Sequence, residues 1–362
     1  MNNPDLLKRV ETALAEIRPY LQNDGGDISL IGIEEDKIVK VRLLRGFSLV
    51  MEKKEFYAHG KLLLTGEYAV LDGALSLALP TRYGQHMEVS PLKEQRIHFR
   101  SLTIDGSVWF EEDLFIGSSN PIAQTLERIL REAQRLQADF LLEGGAMVTT
   151  RLEFPQDWGL GSSSTLIAML AQWAGVDPYQ LLWNSFGGSG YDIACATASS
   201  AILYQLQEGQ AKSYPIYYQP EFADLLFFVY LNQKQNSREG IAHYKAIKKH
   251  KASLLQQLTH LTEAVYRCRD KAQFATLITE HEALLSTFLQ LPTVKERLFA
   301  DFAGAIKSLG AWGGDFVLAV GEGDYVRDYF TSKGFDTLLP FKQMILPTDR
   351  EPILPPSPQG LL

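Results

Sequence analysis

Cysteine is scarce. The 362-residue chain holds two, Cys195 and Cys268, far apart and without a CxxC pair or a Cys/His cluster. That excludes a disulfide framework and a cysteine-built zinc site, and it fits a reducing, cytoplasmic setting. The seven histidines show no metal-ligand spacing either. An excess of positive charge is also missing: 35 Lys and Arg stand against 43 Asp and Glu, a net charge of −8. No nucleic-acid partner is therefore expected. An acidic protein can still hold an anionic substrate, through a local pocket and a metal ion. Long apolar runs are absent, since "DLLFFVYL" at 224–231 is strand-length and a membrane span needs roughly 20 residues. The first residues are polar and acidic, without the basic and apolar segments of a secretory leader. No tandem repeat is visible. The expectation is a cytoplasmic protein with no membrane partner, monomeric or homodimeric.

What is present is 46% hydrophobic, enough for two cores of ordinary size. Leu6, Leu7, Val10, Leu14, Ile17 and Leu21 fall at helical spacing, and after the turn "NDGGD" come two strand-like runs, "ISLIGI" and "KIVKVRLL". From Phe56 strands alternate with Gly-rich turns to about residue 115. "SSNP" then opens an amphipathic helix over 121–137 with Pro at its start, and "AMVTTRLEF" reads as a strand. Residues 237–290 read as long helices with a leucine face at Leu254, Leu255, Leu258 and Leu261. "FAGAIKSLGAWGGDFVLAVG" reads as a helix, a glycine turn and a buried strand, and the tail "ILPPSPQG" as frayed. The pattern predicts an α+β protein of two domains, 51–215 and 216–350, preceded by a short αββ segment (1–50) and followed by a tail (351–362).

Three stretches carry chemistry. In "GLGSSSTLIAMLA", 159–171, glycines and hydroxyls run into an apolar helix. A plain reading is a turn and an N-cap. The other reading is an anion site, because a helix start offers unpaired N–H groups and side-chain-free glycines let a phosphate approach. "HGKLLLTGEYAVLDG", 59–73, brings Lys61, Glu67 and Tyr68, and "GGSGYDIACA" brings Asp192 after a flexible segment. Taken singly, Lys61 and Glu67 read as surface residues and Asp192 as a helix cap. Together they supply what phosphoryl transfer from ATP needs. A backbone turn cradles phosphates, a hydroxyl such as Ser163 ligates Mg²⁺, an aspartate orients or deprotonates the attacking oxygen, and a lysine offsets developing charge. The turn is no Walker loop, since no Gly-Lys-Ser/Thr ends it, so the lysine must come from elsewhere.

In this order and spacing the stretches resemble the three motifs of the GHMP kinases, over roughly residues 55–345. "GKLLLTGEYAVLDG" resembles motif one, "GLGSSST" motif two and "GAWGGDFVLA" the glycine loop of motif three. With "GSGYDIACA" the likeness is closer to the phosphomevalonate kinase branch than to the sugar kinases, and to a bacterial subgroup marked by the string GYDIA. The resemblance implies a two-domain fold, with an N-terminal α/β domain of ribosomal-protein-S5-like type and a C-terminal ferredoxin-like α+β domain. ATP, Mg²⁺ and substrate would lie in the cleft between them. It implies Lys61 and Asp192 as the catalytic pair, near salt-bridge distance of each other. Gly159, Leu160, Gly161, Ser162, Ser163 and Ser164 would bind the phosphates. Ser163, with Glu67, would hold the metal. Gly313 and Gly314 would line the substrate site, and Ser237 and Arg238, at the start of "NSREGIAHYKAIKKHK", would face an anionic substrate, whereas Lys245, Lys248, Lys249 and Lys251 read as a solvated basic face. Two positions depart from the pattern. Leu181 stands where mevalonate kinases carry a metal-holding glutamate, and Trp312 and Asp315 interrupt the glycine run. The implied activity is phosphorylation of mevalonate or phosphomevalonate in the route to isoprenoid precursors. A sugar or sugar-phosphate kinase and a non-catalytic ATP-binding relative remain the alternatives. Cys195, three residues after Asp192, reads as a packing residue.

The stretch "IRPYLQNDGGDISLIGIEEDKIVKVRLLRG", 17–46, resembles the NifU-like iron–sulfur scaffold domain. The CxxC that follows in that domain is not in the chain, which continues into "FSLVMEKKEF", so cluster binding is not implied. Met51 stands where a stand-alone kinase of this type would begin, and residues 1–50 read as a truncated fusion or a reading-frame artefact.

Overall fold

The computed structural model describes residues 4–23, 27–34, 38–44, 53–141, 144–247 and 250–348. Helix α1 (Pro4–Asn23) is followed by an antiparallel pair, β1 (Asp27–Glu34) and β2 (Ile38–Leu44). Of the helix's apolar stripe Leu14 is buried, as is Ile28 on β1, while Ile17, Ile31, Ile38, Val39 and Val41 are exposed. Arg18 ties helix to strand by donating to Ile28 O (2.8 Å) and pairing with Asp27 (2.9 Å). So small a unit has too little apolar surface to close over itself. The expected boundary at residues 50 and 51 and the 351–362 tail lie outside the described residues.

A seven-stranded sheet follows, made of β3 (Lys54–Leu63), β4 (Ser76–Leu92), β5 (Ile97–Leu102), β6 (Val108–Leu114), β7 (Gly145–Leu152), β8 (Ile202–Gln207) and β9 (Gln210–Pro215). The long strand β4 is its spine. β3 pairs along one edge of it, and β7 and β8 share the other. β5 lies parallel to β7 and antiparallel to β6, which forms one margin of the sheet. The helices of this part are α2 (Pro121–Leu136), α3 (Ser162–Ala174), α4 (Pro178–Ser185) and α5 (Tyr191–Thr197). α2 forms where its signals predict. The Asn120 side chain accepts from Ile122 N, Pro121 opens the helix, and Ala123, Leu126, Ile129, Leu130 and Ala133 bury one face.

The chain leaves this sheet at Pro215 and enters another with β10 (Leu226–Tyr230). Helices α6 (Ser237–Ala246), α7 (Ala252–Arg267), α8 (Lys271–Leu289) and α9 (Val294–Leu298) come next, then β11 (Ala305–Leu309), β12 (Phe316–Val320), α10 (Gly323–Ser332), β13 (Leu338–Pro340) and α11 (Phe341–Met344). The strands form an antiparallel sheet in the order β11-β12-β10-β13. One expectation is corrected here, because the stretch read as a helix before the glycine turn contains β11. All five of its residues are buried, each pairs with β12, and Lys307 finds a buried carboxylate. Tertiary burial overrides the weak helical preference of Ala and Lys.

Leu62, Leu64, Leu77 and Leu79 of the first part share one continuous core with Phe228, Phe316 and Leu318 of the second sheet and with Phe274 and Ile278 of α8. At about 1.5–3 kcal/mol for each fully buried large apolar side chain, this common layer fixes the two sheets against each other and so fixes the cleft beside it. Another core, including Phe99, Leu126, Leu130, Val148 and Ile167, lies between the first sheet and its helices. Among the described residues no helix is long and apolar enough to cross a membrane.

Candidate active site

α3 starts without a side-chain cap, its N-cap being Gly161 with φ +91°. The N–H groups of Ser164 and Thr165 both donate to Gly161 O at 3.0 Å. Those of Ser162 and Ser163, in the first turn, have no acceptor within the helix. Gly159 also has positive φ, +65°, and a Cβ there would stand 1.9 Å from Asp315 Oδ2. A Cβ on Gly161 would crowd the Lys61 stem at 3.2 Å. Glycine at both places lets a carboxylate and a lysine close on the loop. Leu160 between them is fully buried and anchors the turn, its carbonyl accepting from Lys61 N at 2.9 Å.

A bulge in β3 between His59 and Lys61 shifts the register there, and such bulges re-aim the side chains beside them. The Lys61 ammonium donates to Gly159 O (3.0 Å) and lies 5.8 Å from the centre of the Tyr191 ring. Asp192, in the first turn of α5, accepts from Ser164 Oγ at 2.5 Å and from Ile193 N at 3.2 Å. Among the described residues no ion pair joins Lys61 to Asp192, which corrects the expected salt bridge. The ammonium is taken by the loop carbonyl and the carboxylate by a serine. Cys195 is buried beside this site, with its thiol pushed far up by burial and then by Asp192, as befits a packing residue.

Lys61, Gly159, Gly161, Ser162, Ser163, Ser164 and Asp192 all line one cavity of about 590 Å³. Glu67, Ser237 and Arg238 line it too; Gly313 and Gly314 do not, and their turn reaches it through Gly310, Ala311 and Asp315 instead. Sequence reasoning missed several lining groups. Lys245, read as solvated, faces the cavity together with Lys234, while Lys251 pairs with Asp72 at 2.8 Å and Lys248 and Lys249 lie outside the described residues. Asp315, read as an interruption, accepts from Gln235 N at 2.7 Å; burial raises its carboxyl, against the pull of that N–H and of Lys61 and Lys234. Tyr68 holds an unusual φ of +60° for a bulky residue, and its hydroxyl accepts from Trp312 N at 2.6 Å. Its ring stacks on Tyr244, 5.6 Å between centres, so it links motif one, motif three and α6. The only earlier signal was its place beside Glu67.

Glu67 is buried and hydrogen-bonded to Lys307, which also lies 3.6 Å from Glu282. Burial pushes the Glu67 carboxyl up to about 7, Lys307 pulling it down, and burial likewise raises Glu282. His281 Nε2 accepts from Gly66 N (2.9 Å), and burial drives the ring's proton affinity well below its ordinary value. The ring is thus neutral, and its 3.5 Å approach to Glu67 is not an ion pair. Glu67 is occupied by this network. Leu181 is fully buried in α4, and among the described residues no cluster of three His, Cys, Asp or Glu side chains is set to hold a metal. The Ser163 hydroxyl is exposed to the cavity that the Asp192 carboxylate also lines. Mg²⁺ keeps several waters and takes few protein oxygens beside phosphates, so the Ser163 hydroxyl fits a metal arriving with a nucleotide.

The fold is that of the GHMP kinases. The Streptococcus pneumoniae phosphomevalonate kinase, solved in complex with phosphomevalonate and AMPPNP, superposes with a TM-score of 0.60 at 17% identity, over 79% of this chain and 99% of that one. The Methanococcus jannaschii mevalonate kinase gives 0.56 at 15% identity, over 80% and 97%. The Lactococcus lactis galactokinase, complexed with galactose, gives 0.57 at 14%, over 81% and 94%. Residues 10–46, a stretch that includes most of α1 and all of β1 and β2, match the family model of the NifU-like domain. Comparison with curated protein sequences finds no match.

Proposed function

We propose that the protein is an ATP-dependent kinase of the GHMP type that phosphorylates an anionic acceptor, mevalonate or phosphomevalonate, in the cytoplasmic making of isoprenoid precursors. The observation that carries this reading is the meeting of three distant stretches, those of Lys61, the uncapped start of α3 and Asp192, on one cavity. Ser162 and Ser163, with their open N–H groups at the positive end of α3, receive the nucleotide phosphates. Mg²⁺, held by Ser163 and the phosphates, would neutralise their charge. Asp192 takes the proton of the acceptor hydroxyl as its oxygen attacks the γ-phosphorus; the bond to the β,γ-bridging oxygen breaks and ADP leaves. An acceptor phosphate has no such proton to lose, and there Asp192 orients the attacking oxygen. Lys61, beside Gly159, offsets charge on the transferring group. Segment 51–215 supplies this nucleotide side. Segment 216–350 supplies the acceptor side through Ser237, Arg238, Lys234 and Lys245, with Gly313 and Gly314 shaping the turn behind it. Those three cations favour an anionic acceptor over a neutral sugar.

A coupled assay of ADP release over mevalonate, phosphomevalonate, galactose and a panel of other sugars tests it. Turnover with mevalonate or phosphomevalonate is expected. Turnover confined to a neutral sugar overturns the acceptor class, and absence of turnover with every acceptor overturns the kinase reading.

A further inference from the structure

Ser164 belongs to the serine run that the family resemblance gives to the phosphates, and its surroundings give it another task. It is 6% exposed, and its hydroxyl donates to Asp192 Oδ2 at 2.5 Å. A serine hydroxyl has one proton to donate. Spent on the carboxylate, that proton is not there for a phosphate oxygen. The backbone N–H is spent as well, on Gly161 O. Among the described residues Ser162 and Ser163 have neither commitment, and Ser163 is exposed where Ser164 is buried.

The Asp192 end of the contact points the same way. α5 is one short helix that follows the glycine-rich run 187–190, in which Gly187, Gly188 and Gly190 all have positive φ. A carboxylate mounted there has little local restraint. Among the described residues, its other hydrogen bond comes from Ile193 N in its own helix, at 3.2 Å. Lys61 does not reach it and is held by Gly159 O. Among the described residues, Ser164, from the first turn of α3, is the side chain outside α5 that grips it. α3 packs on both β3 and α5, so the grip is referenced to the sheet that also carries Lys61.

We propose that Ser164 is a positioning residue that fixes the Asp192 carboxylate for the acceptor oxygen, and is not a nucleotide ligand. The catalytic consequence rests on the kinase reading above. The hydrogen bond also ties the phosphate loop to the base, so any shift of the first turn of α3 moves Asp192 with it. The two halves of the chemistry are thereby held in one frame.

The test compares wild type with Ser164→Ala, Ser164→Thr, Asp192→Asn and the Ser164→Ala/Asp192→Asn pair, each checked for an unchanged melting temperature. Ser164→Ala is expected to lower kcat by roughly tenfold to a hundredfold, the scale of a lost hydrogen bond to a charged group, with KM for ATP changed by less than about twofold. Ser164→Thr restores most of the rate. In the Asp192→Asn background the alanine change costs little more, because the two residues act as one unit. A rise in the KM for ATP that accounts for the loss, or full additivity in the double variant, overturns the proposal. A readout independent of turnover is the crystal structure of Ser164→Ala. The Asp192 side chain is expected to leave its wild-type rotamer or split between rotamers, and an unmoved, single carboxylate overturns the positioning role. Lack of turnover in the wild type itself would instead count against the kinase reading, with this crystallographic comparison still deciding the role of Ser164.

Discussion

Replacing Asp192 by asparagine keeps the shape of the side chain and its capacity to accept from Ser164, and removes the base and its charge. We expect kcat to fall by roughly two to four orders of magnitude with little change in the KM for ATP, measured by steady-state ADP release. Lys61, Ser163 and Asp192 stand out in the sequence because the glycines around them mark turns where backbone comes close to another group, and in the fold those groups include Asp315 and the Lys61 stem. Their partners are not legible there. Whether an ammonium settles on a carbonyl or a carboxylate is decided by a few ångströms of tertiary placement, and Lys61 settles on Gly159 O. Lys234, Lys245 and Asp315 are ordinary surface-type residues in the sequence, and they become cavity groups only once β10, α6 and β12 are folded around motif two.

The elements around the loop are tuned to one another. Gly159→Ala would place a methyl group on a left-handed residue and drive it into the Asp315 carboxylate, 1.9 Å away. Asp315 would have to give up its bond from Gln235 N to make room. A loss of roughly 1–3 kcal/mol in urea unfolding is expected, with a raised KM for ATP from the displaced turn. The strands and helices of the first sheet follow their sequence signals closely, since caps such as Asn120 and alternating burial act locally. β11 does not. "AIKSL" has no strand alternation to show, because every one of its residues is covered, and full burial erases the pattern from which a strand is read. Lys307 within it points to solvent in any sequence-based reading, yet its partner, Glu67, lies 240 residues away.

On the scale of the whole molecule, the Glu67–Lys307–Glu282 network joins the motif-one loop to the second sheet and α8. An ordinary carboxyl has its pKa near 4.5 and Glu67 about 7, so below 4.5 folded and unfolded chains both carry the proton. Between 4.5 and 7 the unfolded chain has lost it and the folded chain keeps it. Stability from this group is therefore present at low pH, falls as pH rises through that window, and is level above it. Glu67→Gln removes the dependence. Its stability relative to wild type should rise by about 2 kcal/mol from pH 5 to 7.5, read by urea unfolding at each pH. A second expectation concerns the αββ segment, whose apolar residues Ile31, Val39 and Val41 stay exposed. A chain beginning at Met51 should keep its turnover and melting temperature and gain solubility, since an uncovered sheet edge invites association. A drop of many degrees in melting would show the segment to be integral to the kinase fold.

Lys307 also makes the molecule its own recorder. An amine is acylated only where a reagent can reach it, and the Lys307 side chain is 0% exposed, whereas Lys271 and Lys342 are 43% and 56% exposed. In a timed labelling experiment read by mass spectrometry, the latter two should modify within the first interval. Lys307 should modify only as fast as the two sheets part. Its labelling clock would then time the breathing of the cleft from within, without any dye or engineered probe.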